Sequence, residues 1–253
     1  LDSSYVSPHV VIPVGHVLQT PARSKFAGGG SLYFDGIWSS LSIPAPTNFN
    51  VRNGNFTFDF QIYDILAAPD ATIMMLDVGM AGGFDCYLYA GSLYIDGLTG
   101  ESSSISLAGA GAGWSHIAIT RSAGTMKMYL NGVSKSITDL NGGFGGYDIA
   151  STGELRIGSW VNDQDPCKGF MDEFRIKRFK AEWTGASFSV PTNFYNADND
   201  TALLLHADNV KYSLMGNIMP DLTFTGTMTT PLSGYMYAQP SGVVYSSPLY
   251  LDN

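Results

Sequence analysis

The sequence predicts an all-β protein, a sandwich of two antiparallel sheets, and three observations carry that prediction. Glycine (29), proline (12), tyrosine (14) and phenylalanine (14) are abundant among the 253 residues, a composition of short strands and tight turns rather than helices. Residues 56–63 alternate at period two: Phe56, Phe58, Phe60 and Ile62 share one face, and Thr57, Asp59, Gln61 and Tyr63 the other. Two-residue hairpin links recur, with Asn131-Gly132 the strongest and Ala90-Gly91 and Ala123-Gly124 beside it. No segment reads as a helix longer than a turn.

Residues 1–27 read as an extended arm. Prolines 8, 13 and 21 interrupt its apolar pairs and forbid a helix or a central strand. Such an arm either lies on a neighbouring surface or packs on its own domain. Residues 28–208 form the sandwich. SLYFDG (31–36) and SSLSIP (39–44) give two short strands, and TIMMLDVG (72–79) follows the strand at 56–63. FDCYLY (84–89) and SLYID (92–96) pair through Ala90-Gly91, which sets Tyr89 opposite Ser92, Leu88 opposite Leu93 and Tyr87 opposite Tyr94. Residues 99–113 read mostly as loop and NGGFGG (141–146) as a flexible loop, with strands at 115–121, 125–130, 154–159, 168–178 and 201–208. Residues 209–253, rich in Gly, Pro, Thr, Met and Tyr, read as a C-terminal extension with short β segments and no core of its own.

The bulk composition excludes several classes. Apolar content of 45 % with 14 % charge describes a packed globular chain rather than a disordered one. A net charge of −9 argues against a nucleic-acid partner, which would require a basic face. No apolar run reaches the roughly 20 residues of a membrane helix, so no membrane insertion is expected. A start at Leu1 rather than Met leads to the expectation of a processed or upstream segment, and no signal peptide is visible. The two cysteines, Cys86 and Cys167, allow one disulfide or two separate thiols, with Cys86 reading as a small core residue.

From Ser31 to Asp208 the chain resembles the concanavalin A-like lectin/glucanase superfamily, in its laminin-G-like jelly-roll branch. The residues that carry the resemblance are SLYFDG, FTFDFQIY (56–63), WSHIAITRSAGTMKMYLNGV (114–133), LRIGS (155–159), KGFMDEFRI (168–176), WTGASFSVPT (183–192) and DNDTALLLHAD (198–208). The DEFRI, W-T-x-x-x-F-x-x-P-T and T-x-L-L-L-H series looks most like copies in bacteriophage tail and virion-surface proteins. The resemblance implies a two-sheet concanavalin A-like jelly roll that binds surfaces and sugars more often than it catalyses.

Enzymes of that superfamily set a Glu-x-Asp-x-x-Glu pattern on one strand, and Glu101, Glu154, Glu173 and Glu182 do not reproduce it. Adjacent Asp172 and Glu173 point to opposite faces; Asp172, grouped with Phe170, Phe174 and Ile176, is expected inward on backbone N–H donors, and Glu173 outward. No enzyme activity is therefore expected, and a glycoside hydrolase would be revived only by two carboxylates converging in a cleft. Laminin-G-like domains often bind calcium, and Asp163 and Asp165, with Asn162 between Trp160 and Pro166, offer hard oxygen ligands, as do Asp198 and Asp200. The alternative is solvated turn residues. His9, His16, His116 and His206 show no ligand spacing, and the two on strands, His116 and His206, read as packed. Tyr87, Tyr89 and Tyr94 on the polar face of their hairpin, with Trp160 and Asn162, are the expected glycan or interface contacts; cross-strand packing is the alternative.

These readings add up to a non-enzymatic structural protein of a virion surface, a capsid decoration or a tail or fibre component. It would present a lectin-like sandwich for host-surface or glycan contact through loops 79–83, 99–113, 141–150 and 160–167. Its partners would be other virion proteins and copies of itself, a homo-oligomer such as a trimer. The alternative is a secreted, monomeric, extracellular carbohydrate-binding module.

Overall fold

The computed structural model describes residues 9–44, 49–65, 70–77, 82–150 and 153–207, with the backbone of 236–238 and 244–246. Its strands are, in chain order, β1 (Ile12–Val14), β2 (Leu18–Thr20), β3 (Ser31–Asp35), β4 (Ser40–Ile43), β5 (Phe56–Tyr63), β6 (Asp70–Leu76), β7 (Phe84–Tyr89), β8 (Ser92–Gly97) and β9 (Ser102–Ser106). There follow β10 (Ser115–Ser122), β11 (Thr125–Leu130), β12 (Val133–Ser134), β13 (Thr138–Leu140), β14 (Leu155–Ile157), β15 (Lys168–Arg178), β16 (Thr201–Leu205), β17 (Met236–Ala238) and β18 (Val244–Ser246). All strand pairings are antiparallel. One sheet runs β1-β4-β14-β6-β7-β8-β9-β13, and the other β12-β11-β10-β5-β15-β3-β2 with β16 also on β15. β17 and β18 pair with each other, as short β segments in the C-terminal extension. The two large sheets are the jelly-roll sandwich that the sequence predicts.

One alternating set from each sheet fills the core. Phe56, Phe58, Phe60 and Ile62 of β5 meet Phe84, Cys86 and Leu88 of β7 and Leu93 and Ile95 of β8, all nearly or fully buried. Stacked rings bridge the layers, with Phe58 5.4 Å from Phe84 and Phe60 5.6 Å from Phe174 between centroids. The hairpin links behave as their residues require: Ala90 and Gly91, Ala123 and Gly124, and Asn131 and Gly132 all take positive φ, which matches the twist of the strands they join. The β7–β8 register is the expected one, Tyr89↔Ser92, Leu88↔Leu93 and Tyr87↔Tyr94.

Several expectations need correction. Residues 9–27 do not leave the domain: β1 closes the edge of one sheet on β4 and β2 the edge of the other on β3, with Val11, Val17 and Phe26 buried. Proline permits this because an edge strand can leave one N–H side unpaired. The stretch 99–113 contains a strand, β9, pinned between β8 and β13. Within 141–150, Phe144 sits in a 3-10 turn and is fully buried, so this segment plugs the core rather than displaying itself. Residues 79–81 lie outside the described residues. Cys86 and Cys167 are both free and buried, and the Cys167 thiol donates to the Thr72 carbonyl at 2.9 Å.

The acidic pair of β15 also differs. Glu173 takes φ of 52° at a bulge between Asp172 and Arg175, which shifts the side-chain alternation. Met171, Phe174 and Ile176 face the core, whereas Asp172 and Glu173 are both buried away from it. Asp172 accepts backbone N–H groups from Glu173 at 2.8 Å and Lys25 at 3.4 Å, as expected. Glu173 is not outward: it accepts the Tyr195 N–H at 2.6 Å and lies 2.7 Å from His206 Nδ1.

The outer face of the β5–β15 sheet is covered by the segment 179–200. Arg175 binds Asp59 with two hydrogen bonds of 2.9 and 3.1 Å, and its guanidinium lies 4.5 Å from the Tyr195 ring centre. His116 Nε2 stands 3.5 Å from the same carboxylate, and Trp183 packs edge-on against His116. Burial works to raise the Asp59 carboxyl, but Arg175 and His116 override it and hold it below its ordinary value. Removing the carboxylate strands a buried guanidinium. Asp59→Ala should therefore cost about 3–5 kcal/mol of stability, read from urea unfolding, with Asp59→Ala/Arg175→Ala losing less than the sum of the single changes.

Candidate ligand-binding site

The other sheet leaves a concave place on its outer face. Alternation along β7 and β8 sends Phe84, Cys86 and Leu88 inward, so Asp85, Tyr87 and Tyr89 point out, joined by Tyr94 and Asp96 from β8. Asp85 and Asp96 are direct cross-strand partners, a like-charge placement that ordinarily destabilises a sheet. The Tyr87 hydroxyl donates to Asp96 Oδ2 at 2.8 Å, and the Tyr87 ring stacks on Tyr94 at 5.2 Å with planes 10° apart.

A loop from Gly158 to Cys167 folds over this face. Gly158 opens it with φ of +96°, and a Cβ there would lie 2.4 Å from the Phe34 ring. The ends are tied by Cys167 N–H to the Gly158 carbonyl at 2.7 Å. A register shift in β6 between Thr72 and Met74 accompanies a hydrogen bond from the Thr72 N–H to the Asp165 carbonyl at 2.8 Å. Arg156 on β14 donates to Asp163 Oδ1 at 3.1 Å and stands 3.5 Å from Glu154, which holds the middle of the loop.

Between loop and sheet lies a cavity of about 340 Å³. Its walls include Tyr87, Tyr89, Leu88, Leu98 and Trp160. Its polar groups include four aspartates, Asp70, Asp85, Asp96 and Asp165, and no basic side chain lines it among the described residues. Tyr89 is 52 % exposed and offers an open ring face, while Asp85 is only 9 % exposed. Burial, then the Asp96 and Asp165 carboxylates, push the Asp85 carboxyl up to about 8.

Of the expected contact residues, Tyr87, Tyr89 and Trp160 line the cavity and Tyr94 backs it as the stacking partner of Tyr87. Asn162 is exposed on the loop with φ of 56° and does not line the cavity. Asp163 and Asp165 part company: Asp163 is taken by Arg156, and Asp165 faces the cavity. Their side chains meet different surroundings, and among the described residues no group of three or more His, Cys, Asp or Glu is arranged to hold a metal ion. Asp198 is likewise engaged, by Lys177 Nζ at 2.6 Å. The residues that sequence reasoning missed are Asp70, Asp85 and Asp96. The signal for the last two was present, because extending the Ala90-Gly91 register by two residues beyond Tyr87 and Tyr94 puts them opposite each other on the tyrosine face.

A β-sandwich with an aromatic and acidic cavity on an outer sheet face has the form of a binding module. The profile of the concanavalin A-like lectin/glucanases superfamily matches residues 35–181, more than half of the chain, and the chain belongs to that superfamily. Among solved structures it is similar to the botulinum neurotoxin serotype D binding domain, at 16 % identity and a TM-score of 0.49 over 67 % of this chain and 42 % of that one. It is similar also to mouse laminin α1 chain domains LG4-5, at 9 % identity and a TM-score of 0.42 over 64 % and 46 %. A third is the binding domain of botulinum neurotoxin DC in complex with rat synaptotagmin II, at 14 % identity and a TM-score of 0.49 over 67 % and 43 %. The chain spans less than half the length of each of these solved chains. No curated protein matches the sequence.

The Asp85 environment has a consequence for stability. A carboxyl whose folded-state pKa is raised holds its proton more tightly when folded, so its contribution is fully present below about 3.8 and lost as pH rises through about 8. Asp85→Asn removes that loss. The melting temperature of the variant, followed by circular dichroism from pH 5 to pH 9, should fall less than that of the parent and exceed it at pH 9.

Proposed function

We propose that this protein is a non-catalytic binding module displayed on a virion surface, and that it engages glycans through the cavity between the β7–β8 hairpin and the 158–167 loop. The observation that carries the binding half is the cavity itself, lined by Tyr89 and Trp160 together with acidic side chains able to accept hydrogen bonds. Sugars present both an apolar C–H face and a rim of hydroxyl donors, and these walls match that pattern. The display half rests on the sequence resemblance to tail and virion-surface proteins. It draws nothing from residues 9–27, which belong to the sheets.

Binding is tested on a glycan array, followed by titration of the hits. Tyr89→Ala and Trp160→Ala should each weaken the best hit by about tenfold or more while leaving the melting temperature within a few degrees. Unchanged binding in both variants would remove the cavity from the function. Display is tested by native mass determination of the intact species: a homo-oligomer or larger particle is expected, and a monomer at working concentrations favours the secreted lectin module.

One observation favours a second reading, a glycoside hydrolase: carboxylates do converge in a cleft, with Asp85 directly opposite Asp96 and Asp165 beside them. Against it, Asp96 already accepts the Tyr87 hydroxyl, and Asp85 and Asp96 face each other across one hairpin rather than across a substrate. Incubation of array hits with the protein should release no reducing sugar, and release abolished by Asp85→Asn would establish the hydrolase instead.

A further inference from the structure

The two outer sheet faces each bury an aspartate beside aromatic rings, and they differ in one component. Asp59 is fully buried and meets a cation from its own chain, the Arg175 guanidinium, which also sits over Tyr195. Asp85 is 9 % exposed, and its Oδ1 has no hydrogen-bond partner among the described residues. The same holds for Asp96 Oδ1 across the hairpin. Rings are present there too, but no cation lines the place among the described residues. Arg156, on β14 of the same sheet, is committed to Asp163 and Glu154.

We propose that the cavity takes a cationic amino sugar, a hexosamine unit with a free ammonium group, held by Asp85 and Asp96 while its ring lies against Tyr89 and Trp160. This rests on the reading of the cavity as a glycan site. An ammonium carries three donors and a full charge, so it can take the place of the proton that burial and like charge favour on Asp85. An anionic glycan would meet acidic groups without a cation among the described lining residues, and a neutral one leaves the facing pair to share a proton. A bare metal ion is a poorer fit, because the space is of small-molecule size, is walled by rings and Leu98, and has no three-residue ligating group among the described residues. Rings flanking the carboxylates also favour an organic cation through their negative faces. The charged and titratable groups around Asp85 among the described residues are Cys86, Tyr87 and Tyr89 on its own strand, Tyr94 and Asp96 on β8, Asp70 on β6, and Asp165 and Cys167 on the loop. None of them is a cation.

The test is calorimetric titration at pH 7 and constant ionic strength with a glucosamine trimer and, separately, its fully N-acetylated counterpart. Acetylation removes the charge and keeps the ring. The free-amine trimer should bind at least about tenfold tighter, and Asp85→Asn and Asp96→Asn should each cut that preference to within about threefold. Tyr89→Ala, at an exposed position, should weaken both trimers alike. Equal binding of the two trimers, or preference for the acetylated one, overturns the amine inference and leaves the glycan reading intact where Tyr89→Ala still weakens both. Failure of every array glycan to bind sinks the glycan reading itself. A lysine-rich peptide that outcompetes the free-amine trimer, or calcium alone binding at Asp85 without any response to the amine, also overturns the proposal.

Discussion

The buried pair of Asp59 and Arg175 is the interaction on which the two halves of this molecule depend. It joins the central strands β5 and β15, and Arg175 in turn meets Tyr195 of the covering segment. A sheet in a sandwich spends one face on the core and must dispose of the other. On this sheet the chain covers that face with a segment of its own. Thr57 and Thr120 donate to the carbonyls of Lys180 and Trp183, and Lys177 holds Glu182 and Asp198, so the segment 179–200 lies sealed across the face. Asp59 and Thr57, at 0 % exposure, are tolerable here because the first meets a charge and the second a backbone carbonyl.

The opposite face is left unfinished, and that difference separates scaffold from site. Its loop is anchored at the ends by backbone bonds and in the middle by Arg156, yet it encloses carboxylates that receive no cation among the described residues. The same elementary rule applies to both faces: a buried carboxylate needs a counter-charge, a donor or a proton. On one face the chain supplies Arg175. On the other it supplies Tyr87 to Asp96, while Asp85 sits where burial and like charge favour the protonated form.

Much of this was legible in the sequence, and the reasons are local. Period-two alternation in β5 and β7, together with two-residue links that permit positive φ, gave both strands and register. The register carried Tyr87, Tyr89 and Tyr94 to one face and, two residues further on, Asp85 and Asp96 as well. Trp160 was legible as the start of a loop after a strand. Glu173 was misplaced because a bulge resets alternation, and nothing within KGFMDEFRIKR announces where the bulge falls. Residues 9–27 were misplaced because proline forbids a central strand but says nothing of an edge.

The sequence by itself determined the class of fold, the superfamily and the face of the β7–β8 hairpin that looks outward, since these follow from periodicity, turn chemistry and residue order. Only the tertiary structure decided which of the aspartates are neutralised. Arg175 reaches Asp59 from a strand 116 positions away, and Arg156 claims Asp163 and so separates it from Asp165. Electrostatic partnership depends on distance in space at a few ångströms, which strand order and bulges set and linear spacing does not.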